Sequence, residues 1–99
     1  MGKSEVRIGM KIRAHVVVDG RVQGVFFRAT TREEATMKGV NGWVRNLHDG
    51  KVEAVFEGEE ESVEELIDFC RRGPPAANIT DIRVERTAYK GEYGTFTVR

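Results

Sequence analysis

From Met10 to Val18 the chain alternates, with Met10, Ile12, Ala14, Val16 and Val18 on one side and Lys11, Arg13, His15, Val17 and Asp19 on the other. A period of two with one apolar face predicts a half-buried strand over 10–18. The period then lengthens. Phe27, Thr31 and Ala35 recur at helical spacing, Glu33 and Glu34 fall toward solvent, and Gly39 suits a helix end, so 27–38 reads as a helix. Strand character returns over 40–47. Asp49-Gly50 is then a tight hairpin turn, with Val52, Ala54 and Phe56 as the inward face of the returning strand.

A second helical stripe, Val63, Leu66, Ile67 and Cys70, follows the acidic cluster Glu57, Glu59, Glu60 and Glu61. Ser62 and Glu65 fit a capping box, the acids suit the positive end of a helix, and Gly73-Pro74-Pro75 ends it. The acid run therefore has an explanation that needs no metal. Ile79, Ile82 and Val84 predict a fourth long strand, and Phe96 with Val98 a short last one after a turn region at 91–94. The order is βαββαβ, then β. Right-handed crossovers on such units place both helices on one face of the sheet, an α+β two-layer sandwich of split-βαβ type. Residues 1–9, polar and outside this alternation, read as a mobile extension, which leaves 10–99 as one domain.

Composition narrows the function more than the fold. The 99 residues carry 16 Lys plus Arg against 16 Asp plus Glu, a formal net charge of zero that favours neither nucleic acid nor an anionic membrane. The single cysteine, Cys70, excludes an intramolecular disulfide and a CxxC site, and its place on the apolar stripe makes it a small buried group rather than a nucleophile. No apolar run near the start is long enough for a signal peptide or a membrane span, so a cytoplasmic location is expected. His15 on the polar strand face and His48 beside the turn read as solvated side chains.

Chemistry concentrates between the first strand and the first helix, in Gly20, Arg21, Val22, Gln23, Gly24, Val25, Phe26, Phe27 and Arg28. Gly20 and Gly24 let the backbone turn so that several N–H groups point into one concavity beside a helix N-terminus, a nest for an oxyanion. The helix dipole favours the same charge, and Arg28 adds a planar fork of donors suited to phosphate or carboxylate. No Lys-Ser or Lys-Thr follows the glycines and GxGxxG is absent, so nucleotide binding is not supported.

GRVQGVFFR at 20–28, GWVRNLHDG at 42–50 and RGPPAA at 72–77, together and in this order, resemble acylphosphatase over residues 10–99. The resemblance implies a ferredoxin-like fold with an added strand, an antiparallel sheet, and hydrolysis of carboxyl phosphates to a carboxylate and inorganic phosphate. It implies Arg28 as the phosphate-binding arginine and Asn46 as the residue that orients the attacking water. No His, Cys or carboxylate constellation has ligand spacing near either motif, so no metal or cofactor is expected. The expected protein is a monomer whose partners are the small acyl phosphate and inorganic phosphate, with neither nucleic acid nor membrane. Two rivals remain at this level. One is an RNA-binding ferredoxin-like domain, faintly echoed by the aromatics of 90–96, although the spacing fails and no second aromatic strand is present. The other is a phosphate-binding, acylphosphatase-like module without catalysis, or a domain of a larger carbamoyl-transfer enzyme, which would need appended domains.

Overall fold

The computed structural model describes residues 9–99, in the order β1 (Lys11–Arg21), α1 (Phe27–Lys38), β2 (Asn41–Asn46), β3 (Val52–Glu59), α2 (Glu60–Arg72), β4 (Asn78–Ala88) and β5 (Phe96–Val98). The expected extension over 1–9 falls, apart from Gly9, outside the described residues. The sheet runs β4-β1-β3-β2-β5. β1 lies near its middle and pairs antiparallel with β3 on one side and β4 on the other; β2 pairs antiparallel with β3. The antiparallel expectation therefore holds for the four long strands. It needs correcting at β5, which runs parallel to β2 from Gly42↔Phe96 to Val44↔Val98, so the five-stranded sheet is mixed.

Alternation decides the faces. Ala14, Val16 and Val18 of β1 and Ala54 and Phe56 of β3 are buried beneath the helices, meeting Val63, Leu66, Ile67 and Cys70 of α2. α1 contributes Phe27, Thr31 and Ala35, one residue per turn, and its Phe27 ring packs against Phe69 of α2 at 6.1 Å between centroids. Burial of each large apolar side chain here stabilises the fold by about 1.5–3 kcal/mol. Both helix ends match the reading, since Gly39 and Gly73 are the C-caps.

Several boundaries differ from the sequence pattern. Met10 lies outside β1 and is exposed rather than inward-facing, while β1 continues through Gly20 and Arg21 to pair with Ile79 and Asn78 past a bulge. The hairpin closes with Leu47 N–H donating to Lys51 O (2.8 Å) and Gly50 N–H to Leu47 O (3.3 Å), a three-residue turn rather than a two-residue one. α2 begins at Glu60 directly out of β3, and its N-cap Glu59 makes no side-chain cap. Ser62 therefore stands inside the first turn, not at a capping box. Glu60 N–H donates to Met10 O at 2.9 Å, so the chain just before β1 satisfies one of the orphan donors of this helix end.

Glu57 departs furthest from expectation. It belongs to β3, is only 1% exposed, and takes no part in the helix end. β4 and β5 occupy opposite edges of the sheet, so residues 89–95 must cross it, and they cross on the face away from the helices. The Glu57 carboxylate accepts there from the N–H groups of Lys90 (3.1 Å) and Glu92 (2.9 Å) and from Arg13 Nη1 (3.1 Å). Burial works to raise its pKa, but these donors outweigh burial and hold it below the ordinary glutamate value. Tyr93 completes the strap, its hydroxyl accepting from Trp43 Nε1 and its carbonyl from Asn41 Nδ2, each at 3.0 Å.

Candidate active site

β1 and β2 both run antiparallel to β3, so they share a direction and their C-terminal ends open on the same rim of the sheet. The loop 22–26 leaves the first end, and Asn46 is the last residue of the second. Val22 and Val25 point into the core, 1% and 7% exposed, and fix the loop to the body of the protein. Between and beyond them Gly24 (φ 75°) and Phe26 (φ 64°) adopt left-handed backbone, a sequence of turns that aims successive N–H groups inward. Phe26 pays for this twice, since it carries a side chain in that region and leaves its ring 80% exposed.

Gly20 and Arg21 are placed differently from the sequence reading. Both lie in β1, and the Gly20 N–H donates to Asp19 Oδ1 at 2.8 Å, so it does not face the concavity. A side chain at Gly20 would strike Asn78 O at 2.1 Å; the glycine is required by the close passage of β4.

The N–H groups of residues 22–26 find no acceptor among the described residues, and the first to bond back as α1 begins is that of Thr30, to Phe26 O at 3.0 Å. α1 has no side-chain N-cap and no acid in its first turn, whereas α2 has Glu60 and Glu61 there. One helix end is supplied with its own negative charge, and the other is left open to an anion from outside. A cleft of about 280 Å³ lies at this point, lined by Val22, Gly24, Phe26, Phe27, Arg28 and Ala29. Arg28, the second residue of α1, holds its guanidinium at the cleft, with Nη1 3.5 Å from the main-chain oxygen of Arg99.

Asn46 reaches this rim from the hairpin side, paired with Val52 in β3. Its Oδ1 is buried and has no hydrogen-bond partner among the described residues. Loop and hairpin are joined by Gln23, whose Nε2 donates to Leu47 O (2.8 Å) and to Lys51 O (2.9 Å). Sequence reasoning placed Gln23 in the loop but missed this tie. The only available signal was one polar side chain among valines and phenylalanines.

Other candidate groups stay apart from the cleft. Cys70 is 1% exposed in the core, and burial pushes its thiol pKa up to about 12, far from a reactive thiolate. His48 is exposed at the hairpin turn. His15 is not merely solvated: Nε2 lies 2.7 Å from Glu53 Oε2, while Arg45 Nε donates to Glu53 Oε1 at 2.7 Å, a hydrogen-bonded row on the helix-free face. Burial tends to raise the Glu53 pKa, and its two partners together bring it below the ordinary value. Among the described residues no group of three His, Cys, Asp or Glu side chains could hold a metal ion.

Comparison with known proteins bears on the whole chain. The acylphosphatase family model matches residues 14–98. An acylphosphatase of Haloarcula marismortui is 60% identical over 87 residues, covering 88% of this chain and 94% of that protein. One of Aeropyrum pernix is 56% identical over 89 residues, with 89% and 88% covered. Among solved structures, an acylphosphatase from Coxiella burnetii superposes with a TM-score of 0.85 at 39% identity, covering 91% of this chain and 94% of that one.

Proposed function

On the premise that the chain belongs to the acylphosphatase family and hydrolyses acyl phosphates to a carboxylate and inorganic phosphate, we propose that the cleft at 22–29 is where it does so, with Arg28 and the loop amides holding the phosphoryl group and Asn46 placing the water. The observation that carries this is the run of unused N–H groups leading into an uncapped, acid-free helix end with Arg28 beside it. Donors fixed in advance around the phosphoryl oxygens stabilise charge that spreads onto them in the transition state, by roughly 3–4 kcal/mol per key donor.

The chemistry asks little else of the protein. Water oxygen forms a bond to phosphorus as the bond from phosphorus to the carboxyl oxygen breaks, and the carboxylate leaves with the electron pair. A carboxylate is a good leaving group, so no general acid is required to expel it. A phosphate oxygen takes the proton that the water sheds. The carboxamide of Asn46 is far too weak a base for that task, but it can accept a hydrogen bond from the water and so aim it. Turning the carboxamide would cost little on the Oδ1 side, because that oxygen has no partner among the described residues to give up. On this reading catalysis needs neither metal nor cofactor.

The partners of the reaction are then the small acyl phosphate and inorganic phosphate, with no role for nucleic acid or membrane, and the protein acts as a cytoplasmic monomer. The zero net charge and the buried free thiol of Cys70 support that setting, and no described helix is long and apolar enough to cross a membrane. The direct test is phosphate release from acetyl or benzoyl phosphate against a phosphate monoester and ATP. Turnover confined to acyl phosphates is expected; comparable turnover of the monoester would overturn the mechanism.

A further inference from the structure

Gln23 sits within the anion-binding loop, yet its side chain is turned away from any anion. Both hydrogens of Nε2 are spent on the hairpin, one on Leu47 O at 2.8 Å and one on Lys51 O at 2.9 Å. Those carbonyls belong to the two residues that close the turn, since Leu47 N–H also donates to Lys51 O at 2.8 Å. Leu47 directly follows Asn46.

Nothing else among the described residues joins the two segments by a hydrogen bond. The buried Val22 and Val25 set how deep the loop sits, but an apolar contact does little to fix its lateral position. The hairpin, in turn, carries Asn46 at its base, with a side-chain oxygen that no other described group holds. A planar amide with two donors on two carbonyls of a closed turn resists both sliding and twisting, which one hydrogen bond would permit. The placement matters because displacement by about 1 Å of a group that orients a reactant can cost on the order of 100-fold in rate.

We propose that Gln23 is a positioning residue: it clips the phosphate loop to the turn after Asn46 and so holds the water-placing carboxamide in register with the bound phosphoryl group. The proposal rests on the role assigned to Asn46 above. It implies that Gln23 acts on the chemical step rather than on phosphate affinity, because the loop amides and Arg28 that hold the anion stay seated by the buried Val22 and Val25 without the clip.

The test is a double-mutant cycle on Gln23 and Asn46, with acetyl phosphate as substrate and inorganic phosphate as inhibitor. Gln23→Met keeps the length and removes the donors, and Gln23→Glu keeps the shape and turns a carboxylate toward two carbonyls. Either folded variant is expected to lose about 10- to 100-fold in kcat, with the phosphate inhibition constant changed by no more than about twofold. In the Asn46→Ala background the same substitution should cost less than about threefold, because the residue it positions is gone. An unchanged kcat in the single variants, an equal loss in both backgrounds, or a loss of phosphate affinity as large as the loss of kcat would each overturn the clip. Full activity in Asn46→Ala alone would instead remove the catalytic reading on which it rests, and the clip with it. Amide hydrogen exchange at Leu47 and Lys51 should also quicken in the Gln23 variants, while amides of α2 stay as in the parent.

Discussion

Val18 and Asn46 flank the same residue, Val52, from either side of β3. Two strand spacings of about 4.8 Å therefore separate the last apolar residue before the phosphate loop from the residue assigned to the water. β2 ends here at Asn46, and β1 runs on three residues to Arg21 before the loop begins. The register of one central strand thus brings the two motifs to a single rim.

Arg28→Ala should abolish activity and weaken inhibition by inorganic phosphate, since among the described residues the guanidinium is the one side-chain cation lining the cleft. Arg28→Lys should restore little, because an ammonium cannot present two parallel donors to one phosphoryl group. Steady-state kinetics with phosphate as competitor decide it, and near-parental phosphate inhibition in the alanine variant would exclude the binding role.

Asn46→Ala should fold, bind phosphate nearly as the parent does, and lose on the order of 100-fold in kcat, as when one preorganised polar group is removed. Asn46→Asp should do no better, because it brings negative charge toward the phosphoryl group. The contrast with Arg28 is the check. A variant that lost phosphate affinity but kept kcat at saturation would make Asn46 a binding residue.

Activity should persist in excess chelator. No described cluster of ligating side chains adjoins the cleft, and the leaving group needs no Lewis acid. Phosphate release measured before and after exhaustive chelation, then after adding back Mg²⁺ or Zn²⁺, tests this. Activity lost and then restored by either ion would contradict the mechanism.

Glu57→Gln should destabilise the fold by about 2 kcal/mol, because it removes the charge that holds two backbone N–H groups and Arg13 in a buried position. Glu57 lies five residues along β3 from Val52, about 17 Å from the rim, so kcat should not move. The folded-state pKa values of Glu57 and Glu53 are lowered. Their stabilisation is therefore complete above the unfolded value of about 4.3 and is lost as pH falls through the folded values below it. Urea midpoints between pH 6 and pH 3 should fall for the parent, and less steeply for Glu57→Gln. Parallel slopes would refute the assignment to Glu57.

Thr31→Val should leave stability unchanged or raise it by about 1 kcal/mol. The Thr31 hydroxyl is buried with no partner among the described residues, and valine has nearly the same shape without a polar atom to desolvate. A drop in urea midpoint would show that the hydroxyl is hydrogen-bonded in solution through an internal water.

Sequence alone determined which residues turn inward, because burial of one face imposes a period of two on a strand and of 3.6 on a helix. The bounds of α1, the core faces of β1 and β3 and the stripe of α2 follow from that rule, and the family motifs singled out the loop and Asn46 for the site proposed above. Periodicity is blind to partners. It could not show that β5 runs parallel to β2, that Met10 O takes the first N–H of α2, or that Gly20 serves the passage of β4 rather than the anion. Glu57 reads locally as one more surface acid, and becomes a buried anchor only because residues 33 and 35 positions later cross over it. Gln23 likewise acquires its role from carbonyls 24 and 28 positions away. Hydrogen bonds of this kind depend on which backbone groups the strand pairing leaves free at a given point in space, and that is decided only when the sheet closes its register.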